Sequence, residues 1–328
     1  MDTIKSTAEN VEWGNFDPNR NPVISVESGE TVEIQTVTAP REKHLKLLED
    51  SGIEREKILQ DEVNIKNTVL KTGPHVVTGP IEIKGAKPGD ALEVRVKDIE
   101  FRAPYGFNLF KPGGGVEEKK FPYQETHVIP FDIENNIAQF DDDTEIPLEP
   151  FLGIMAVSPH PEAGKTSTIP PGYFGGNLDL KQLGVDSRLY LPVNTEGALF
   201  WAGDGHGVQG NGEVCLTAAE TSLTATLEFV IHKQNERLRW PIAETKNHYI
   251  IMGFDQNLDQ AMSHAVNECV SFLSKQKQID ESDAYRLASL SVDFNVTQVV
   301  NNTKGIHAMI PKYLFNKNEN DDIINIFD

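Results

Sequence analysis

The chain has 328 residues, 38% of them hydrophobic and 24% charged, which supplies enough apolar material for one large core or a few smaller ones and excludes global disorder. Thirty Lys plus Arg against fifty Asp plus Glu leave a formal charge of −20 without a basic block, so a nucleic-acid partner is excluded on electrostatic grounds. Two cysteines, Cys215 and Cys269, cannot build a disulfide scaffold; residues 1–10 hold no signal segment, and no apolar run approaches the roughly eighteen residues of a membrane span, so a cytoplasmic protein without a membrane partner is expected.

In chain order, alternating apolar and polar residues at 31–38, 91–99 and 223–232 predict strands, entered in the first two cases through the turns Ser28-Gly29 and Pro88-Gly89. A polar stretch at 41–61 carries Leu45, Leu48, Ile58 and Leu59 at helical spacing and is interrupted by Ser51-Gly52. Long Gly- and Pro-rich connections at 102–115 and 158–176 are of the kind that build sites. Asp141-Asp142-Asp143 reads as a solvated turn, because no Gly and Glu follow at EF-hand spacing. Val214-Cys215-Leu216 reads as the start of a buried strand.

The clearest helix spans 258–276, where Leu258, Ala261, Met262, Ala265, Val266, Cys269, Val270 and Leu273 recur at steps of three and four; Asp255 or Asn257 caps it. A shorter helix at 282–290 and a strand at 291–300 follow. The expected class is mainly β, with a β-rich body at 1–245 and a mixed α/β element at 246–328 packed on it.

The densest chemistry lies between residues 170 and 220. In W-A-G-D-G-H-G-V-Q-G-N-G-E-V at 201–214, glycines alternate with Asp204, His206, Gln209 and Glu213. Glycine permits unusual backbone angles and close approach, while Asp, His and Glu hold a divalent ion or move a proton. A surface turn needs no such variety, so the stretch is read as a site. Alternate residues of an extended chain share a side, which lets Asp204 and His206 face one pocket; Asn177 and Asp179 have the same spacing. His264 and Glu268 lack the second histidine of an HExxH helix and read as an exposed pair.

Ordered stretches are spread across most of the chain: G-P-H-V-V-T-G-P-I-E-I-K-G-A-K-P-G-D-A-L-E-V at 73–94, F-L-G-I-M-A-V-S-P at 151–159, P-P-G-Y-F-G-G-N-L-D at 170–179, the 201–214 run, and V-T-Q-V-V-N-N-T-K-G-I-H-A-M-I-P-K at 296–312. Together they resemble the acetamidase/formamidase family. The resemblance implies a β-sandwich or barrel body with a smaller C-terminal mixed α/β element. It also implies hydrolysis of formamide or acetamide, a small neutral amide as substrate, and a divalent metal centre. The family-like positions are His75, Asn177, Asp179, Asp204, His206, Gln209 and Glu213, with His307 in a family-like context. Asn211 departs from the pattern, since the family commonly has aspartate between those two glycines; the missing charge bears on metal affinity and substrate range.

Amide hydrolysis needs an activated water, a stabilised oxyanion and a proton for the leaving nitrogen. A divalent ion on Asp179, Asp204 and His206, with His75 as a further ligand, answers the first need. Glu213 is assigned proton transfer, and Asn177 and Gln209 orientation of the amide or oxyanion stabilisation. The nitrogen ligand favours zinc modestly; the oxygen-rich remainder keeps calcium open. Cys215 is the rival nucleophile, two residues from Glu213. A reading of another class is a metal-stabilised small-ligand or carbohydrate-binding protein without hydrolase activity. Exposed strand edges make a homodimer plausible, with no segment specifying its symmetry.

Overall fold

In the computed structural model, which describes residues 1–39, 43–233 and 238–315, the alternating runs become strands of two large sheets. Leu223, Ala225, Leu227 and Phe229 are buried, whereas Thr224, Thr226 and Glu228 between them are half-exposed, the pattern of a strand with one face on a core. The strand Leu223–His232 lies between Thr31–Gln35 and Ala91–Phe101 in a nine-stranded sheet that continues through Arg188–Pro192 and Ile242–Glu244. The C-terminal strands His248–Asp255, Lys304–Pro311 and Asp293–Gln298 extend this same sheet to its far edge.

A second sheet of eleven strands faces it, with Tyr105–Phe110, Glu220–Thr221, Phe200–His206, Phe151–Val157 and Gly175–Asn177 as successive neighbours. Leu92, Val94, Leu227 and Phe229 of the first sheet share one buried cluster with Val77, Ile154, Phe200 and Ala202 of the second. The body is therefore a β-sandwich, as expected. Each large apolar side chain sealed between the sheets contributes about 1.5–3 kcal/mol of burial.

Helices cover the rest. The polar stretch forms α1 (His44–Asp50) and α2 (Gln60–Thr68), separated where Gly52 adopts φ 79°; Arg41 and Glu42 lie outside the described residues. Buried Glu62 anchors this pair to the body, accepting from Ser222 Oγ at 2.5 Å and Tyr105 Oη at 3.0 Å and pairing with His44 Nε2 at 2.7 Å.

The long helix α3 (Leu258–Lys277) starts at Asn257, whose side chain accepts from the Asp259 and Gln260 amides. It lies so close to the sheet that a Cβ on Gly253 would stand 2.4 Å from both Ala261 O and Ala265 N. Its buried stripe is Ala261, Ala265, Cys269, Phe272 and Leu273, narrower than the spacing suggested, and Met262 is 37% exposed. α4 (Glu281–Ser291) packs beside it; residues 316–328 of the expected C-terminal element lie outside the described residues.

Candidate active site

The site grows from four neighbouring strands of the eleven-stranded sheet. Phe151 pairs with His206, His206 with Glu220, and Ile154 with Asn177. Between the first two strands the register runs Leu152 with Gly205 and Ile154 with Gly203, which leaves Gly153 against Asp204. Just beyond the Gly175–Asn177 strand, the Leu178 and Asp179 amides both donate to Gly153 O. The consequence is that Asp179, Asp204 and Glu220 gather around the ring of His206, Asp179 at Nδ1 and the other two at Nε2, although Asp179 and Glu220 are 41 positions apart in the chain.

The geometry there is tight. His206 is fully buried, its ring edge-on to Phe151 at 4.9 Å; Nδ1 lies 3.9 Å from Asp179 Oδ1, and Nε2 lies 3.5 Å from Asp204 Oδ2 and 3.3 Å from Glu220 Oε1. Asp179, His206 and Glu213 form one group whose ligand atoms lie within 4.8 Å of one another, and Asp204, His206 and Glu220 form a second. Asp179, Asp204 and Glu213 have φ of 48°, 54° and 44°, a left-handed region that costs a non-glycine residue about 1–2 kcal/mol. Strain held at three carboxylates of one cluster is what a functional site stores and the surrounding sheet sustains.

The charges act on each other. Burial pushes the Asp179 carboxyl up to about 6, and Asn301 and His206 only partly oppose it. Burial and the neighbouring Asp179 charge hold Glu213 well above the usual carboxylate range. Asp204 goes the other way, because the His75 and His206 charges outweigh its desolvation. For His206, burial is outweighed by Glu220 and Asp204, which raise it well above the ordinary imidazole value.

Both His206 ring nitrogens, Asp179 Oδ1, Glu213 Oε2, Asn177 Oδ1 and Gln209 Oε1 are buried without a hydrogen-bond partner. Buried polar atoms are ordinarily paired, and a cluster of unpaired oxygens around an imidazole fits a divalent cation. The donor set of one imidazole and several carboxylates passes this test.

Most residues singled out from sequence gather here. Asn177, Asp179, Asp204, Glu213 and His75 line one cavity with Glu220 and Asn301. Gln209 sits beneath it, donating from Nε2 to Asp179 O at 2.8 Å. His75 Nδ1 lies 3.1 Å from Thr168 Oγ1, and the ring stands outside both ligand groups. Two residues escaped the sequence reading. Glu220 is visible only through its cross-strand pairing with His206. Asn301 reaches the site because Gly212 N donates to Thr297 O and Gln298 Oε1 accepts from the Val300 and Asn301 amides; its Nδ2 then donates to Asp179 Oδ2 at 2.5 Å. The 296–312 stretch already carried a family-like pattern, which was the available signal.

The expected buried strand at 214–216 is instead a turn. Val214 is 61% exposed, since Glu213 in its left-handed conformation reverses the chain. Cys215 Sγ receives Asn108 Nδ2 at 3.3 Å and lines a separate apolar groove beside the cavity. Cys269 is sealed in α3, where burial pushes its thiol up to about 12. His264 and Glu268 are exposed on α3, as read.

His307 is buried in the nine-stranded sheet, with Nδ1 2.7 Å from Thr297 Oγ1, and does not line the cavity. Burial, helped by the Lys181 charge, lowers its pKa from 6.5 to about 4. Between those values the unfolded chain binds a proton that the folded chain refuses. Stability contributed by neutral His307 is therefore complete above pH 6.5 and is lost as pH falls through about 4, by up to about 3 kcal/mol. Urea unfolding from pH 7 to 4 should show His307→Asn with a shallower loss than the native chain; parallel curves would remove this role.

Residues 1–167 and 161–317 match the Acetamidase/Formamidase family. A formamidase of Methylophilus methylotrophus is 27% identical over 210 residues, covering 48% of this chain and 52% of its own. The chain spans a little over half the length of two curated relatives it matches, this formamidase at 52% and a putative formamidase of Schizosaccharomyces pombe at 57%. Solved structures match along nearly their whole length. An acetamidase/formamidase predicted for Thermoanaerobacter tengcongensis superposes with a TM-score of 0.81 at 25% identity, over 95% of this chain and 96% of that one. An acetamidase from Bacillus halodurans superposes at 0.79 and 27% identity, over 95% and 98%. The fold, the matched residues and the convergent cluster agree: this chain belongs to the acetamidase/formamidase family.

Proposed function

We propose that the protein is an amidohydrolase that converts a short aliphatic amide, formamide or acetamide, to the carboxylate and ammonia. The observation that carries this reading is the buried, strained carboxylate–imidazole cluster opening into a cavity. Family membership and the named activities of the relatives support it.

Of the expected ligands, Asp204 and His206 stand with Glu220 in one group that would hold a divalent ion, zinc favoured modestly and calcium possible; Asp179 stands with Glu213 at the other His206 nitrogen, and His75 lines the same cavity. When bound, the ion polarises the amide carbonyl and acidifies water. Glu213 lines the cavity with an unpartnered Oε2, and burial with the neighbouring Asp179 charge favours its protonated form, which suits delivery of a proton to the leaving nitrogen. Asn177 lines the cavity with a free Oδ1 suited to an amide N–H, which would orient the substrate. Gln209 acts through Asp179, whose backbone carbonyl it holds. Cys215 is left out of this chemistry, its thiol being in the neighbouring groove.

The test is ammonia release from formamide and acetamide by metal-defined protein. Activity should vanish on chelation, return with one divalent metal, and survive alkylation of Cys215. Folded, metal-loaded protein that releases no ammonia from any short amide would instead point to the binding-protein reading. We further propose cytoplasmic residence and a homodimer, the latter tested by sedimentation.

A further inference from the structure

We propose that Asn301 is a positioning residue of the reaction: its side-chain amide, carried by the turn at 297–303, ties one oxygen of Asp179 and so aims the other at His206 and Glu213. The inference rests on the amidohydrolase reading and names a further residue of the same site.

The turn begins where a strand loses register. Along Asp293–Gln298 the pairing with Lys304–Pro311 runs Val296 with Ile306 and then Gln298 with Gly305, which leaves Thr297 as the extra residue of a bulge. A bulge redirects the chain that follows it and recurs beside active sites. Thr297 is pinned twice: Oγ1 lies 2.7 Å from Nδ1 of buried His307, and the carbonyl accepts from Gly212 N at 2.9 Å. Val299 N donates back to Gly212 O at 3.2 Å. Gly212 precedes Glu213, so this segment also holds the start of the turn that carries Glu213.

Gln298 then shapes the turn with its own side chain. It is fully buried; Oε1 accepts from Val300 N at 2.9 Å and from Asn301 N at 3.1 Å, and Nε2 donates to Thr303 O at 2.7 Å. Both the acceptor and the donor of the amide are therefore used inside the turn. None of these bonds involves the Asn301 side chain, which reaches across to the neighbouring segment instead. Its Nδ2 donates to Asp179 Oδ2 at 2.5 Å and approaches Asn177 O at 3.4 Å, so one amide grips two residues of the site.

What Asp179 gains is a fixed direction. Its amide donates to Gly153 O and its carbonyl accepts from Gln209, but neither contact touches the carboxylate. Among the described residues, Asn301 is the hydrogen-bond donor to that carboxylate. The other oxygen, Oδ1, is buried without a hydrogen-bond partner and lies 3.9 Å from His206 Nδ1, in the group shared with Glu213. With Oδ2 tied, Asp179 turns away from the imidazole only by breaking a charge-assisted bond. Removing an outer hydrogen bond of this kind typically costs about 10–100-fold in metal affinity or activity.

The experiment measures kcat and KM for formamide and acetamide, and titrates chelated protein with zinc and, separately, with calcium by calorimetry. Asn301→Ala should lower kcat by about 10–100-fold with KM changed less than about threefold, and should weaken ion affinity by a similar factor. The turn keeps its backbone bonds to Gln298 and Gly212 in this variant. Asn301→Asp also preserves the size of the side chain while removing the donor, and should lose at least as much. In an Asp179→Ala background, Asn301→Ala should change ion affinity less than about twofold, because a residue acting through Asp179 has nothing left to act on. Native kcat and native ion affinity in both Asn301 variants overturn the inference, as does a loss that adds in full to that of Asp179→Ala. A rise in KM at unchanged kcat also overturns it, since Asn301 would then be holding the substrate directly. These outcomes leave the amidohydrolase reading standing. No ammonia from the native protein with any short amide overturns that reading instead, and the ion titrations then decide the role of Asn301.

Discussion

Replacing Glu213 with Gln is expected to lower turnover of short amides by about 10²–10⁴-fold, the usual worth of a positioned proton-transfer group. The substitution is nearly isosteric, so the left-handed backbone at this position and the contacts around it are retained. Glu213 also belongs to one of the two ligand groups, but Asp204, His206 and Glu220 remain as the other. Metal content should therefore stay close to that of the native protein. Metal analysis beside steady-state kinetics separates the cases: loss of both metal and activity would make Glu213 a ligand, and unchanged turnover would end its role altogether.

Gly153→Ala should have an effect of similar size through a different cause. A Cβ at this position would stand 2.6 Å from Asp179 Oδ1, 2.7 Å from His206 Cε1 and 3.0 Å from Asp204 O. The last is backbone within a paired strand and cannot swing aside. Asp179 and His206 must move, and displacement of about 1 Å at a reacting centre costs roughly 10²-fold. Metal affinity should weaken together with kcat/KM, measured by titration calorimetry and ammonia release. Gly210→Ala is the matching control, because a Cβ there meets nothing within 4 Å. A Gly153→Ala protein with native metal affinity and native kcat/KM would show that the cluster is looser than its geometry indicates.

Much of this architecture is local and was legible as such. Leu223, Ala225, Leu227 and Phe229 announce a one-sided strand by spacing alone, and Asn257 with the 3–4 periodicity behind it announces α3. The sandwich and the site positions were carried by the resemblance of ordered stretches to a family, and the matched family model and the superposed structures bear out the family and the fold. What failed was also local in appearance: Val214-Cys215-Leu216 has the composition of a strand, yet the conformation of Glu213 turns the chain outward.

The aggregate acidity of −20 marked nucleic acid as an unfavourable partner, but it did not show that Asp179, Asp204, Glu213 and Glu220 line one cavity, because a sum over 328 residues carries no positions. Sequence by itself determined the period-two strands, the capped helix and the concentration of ligand-capable residues between 170 and 220. Those depend on neighbours within a few residues. Only the tertiary structure decided that Glu220 joins Asp204 and His206, that Asn301 joins Asp179, that Gly153 must lack a side chain, and that Cys215 stands aside. Each of these depends on cross-strand register and on loop contacts between distant segments, and no periodicity along the chain encodes which strand will lie beside which.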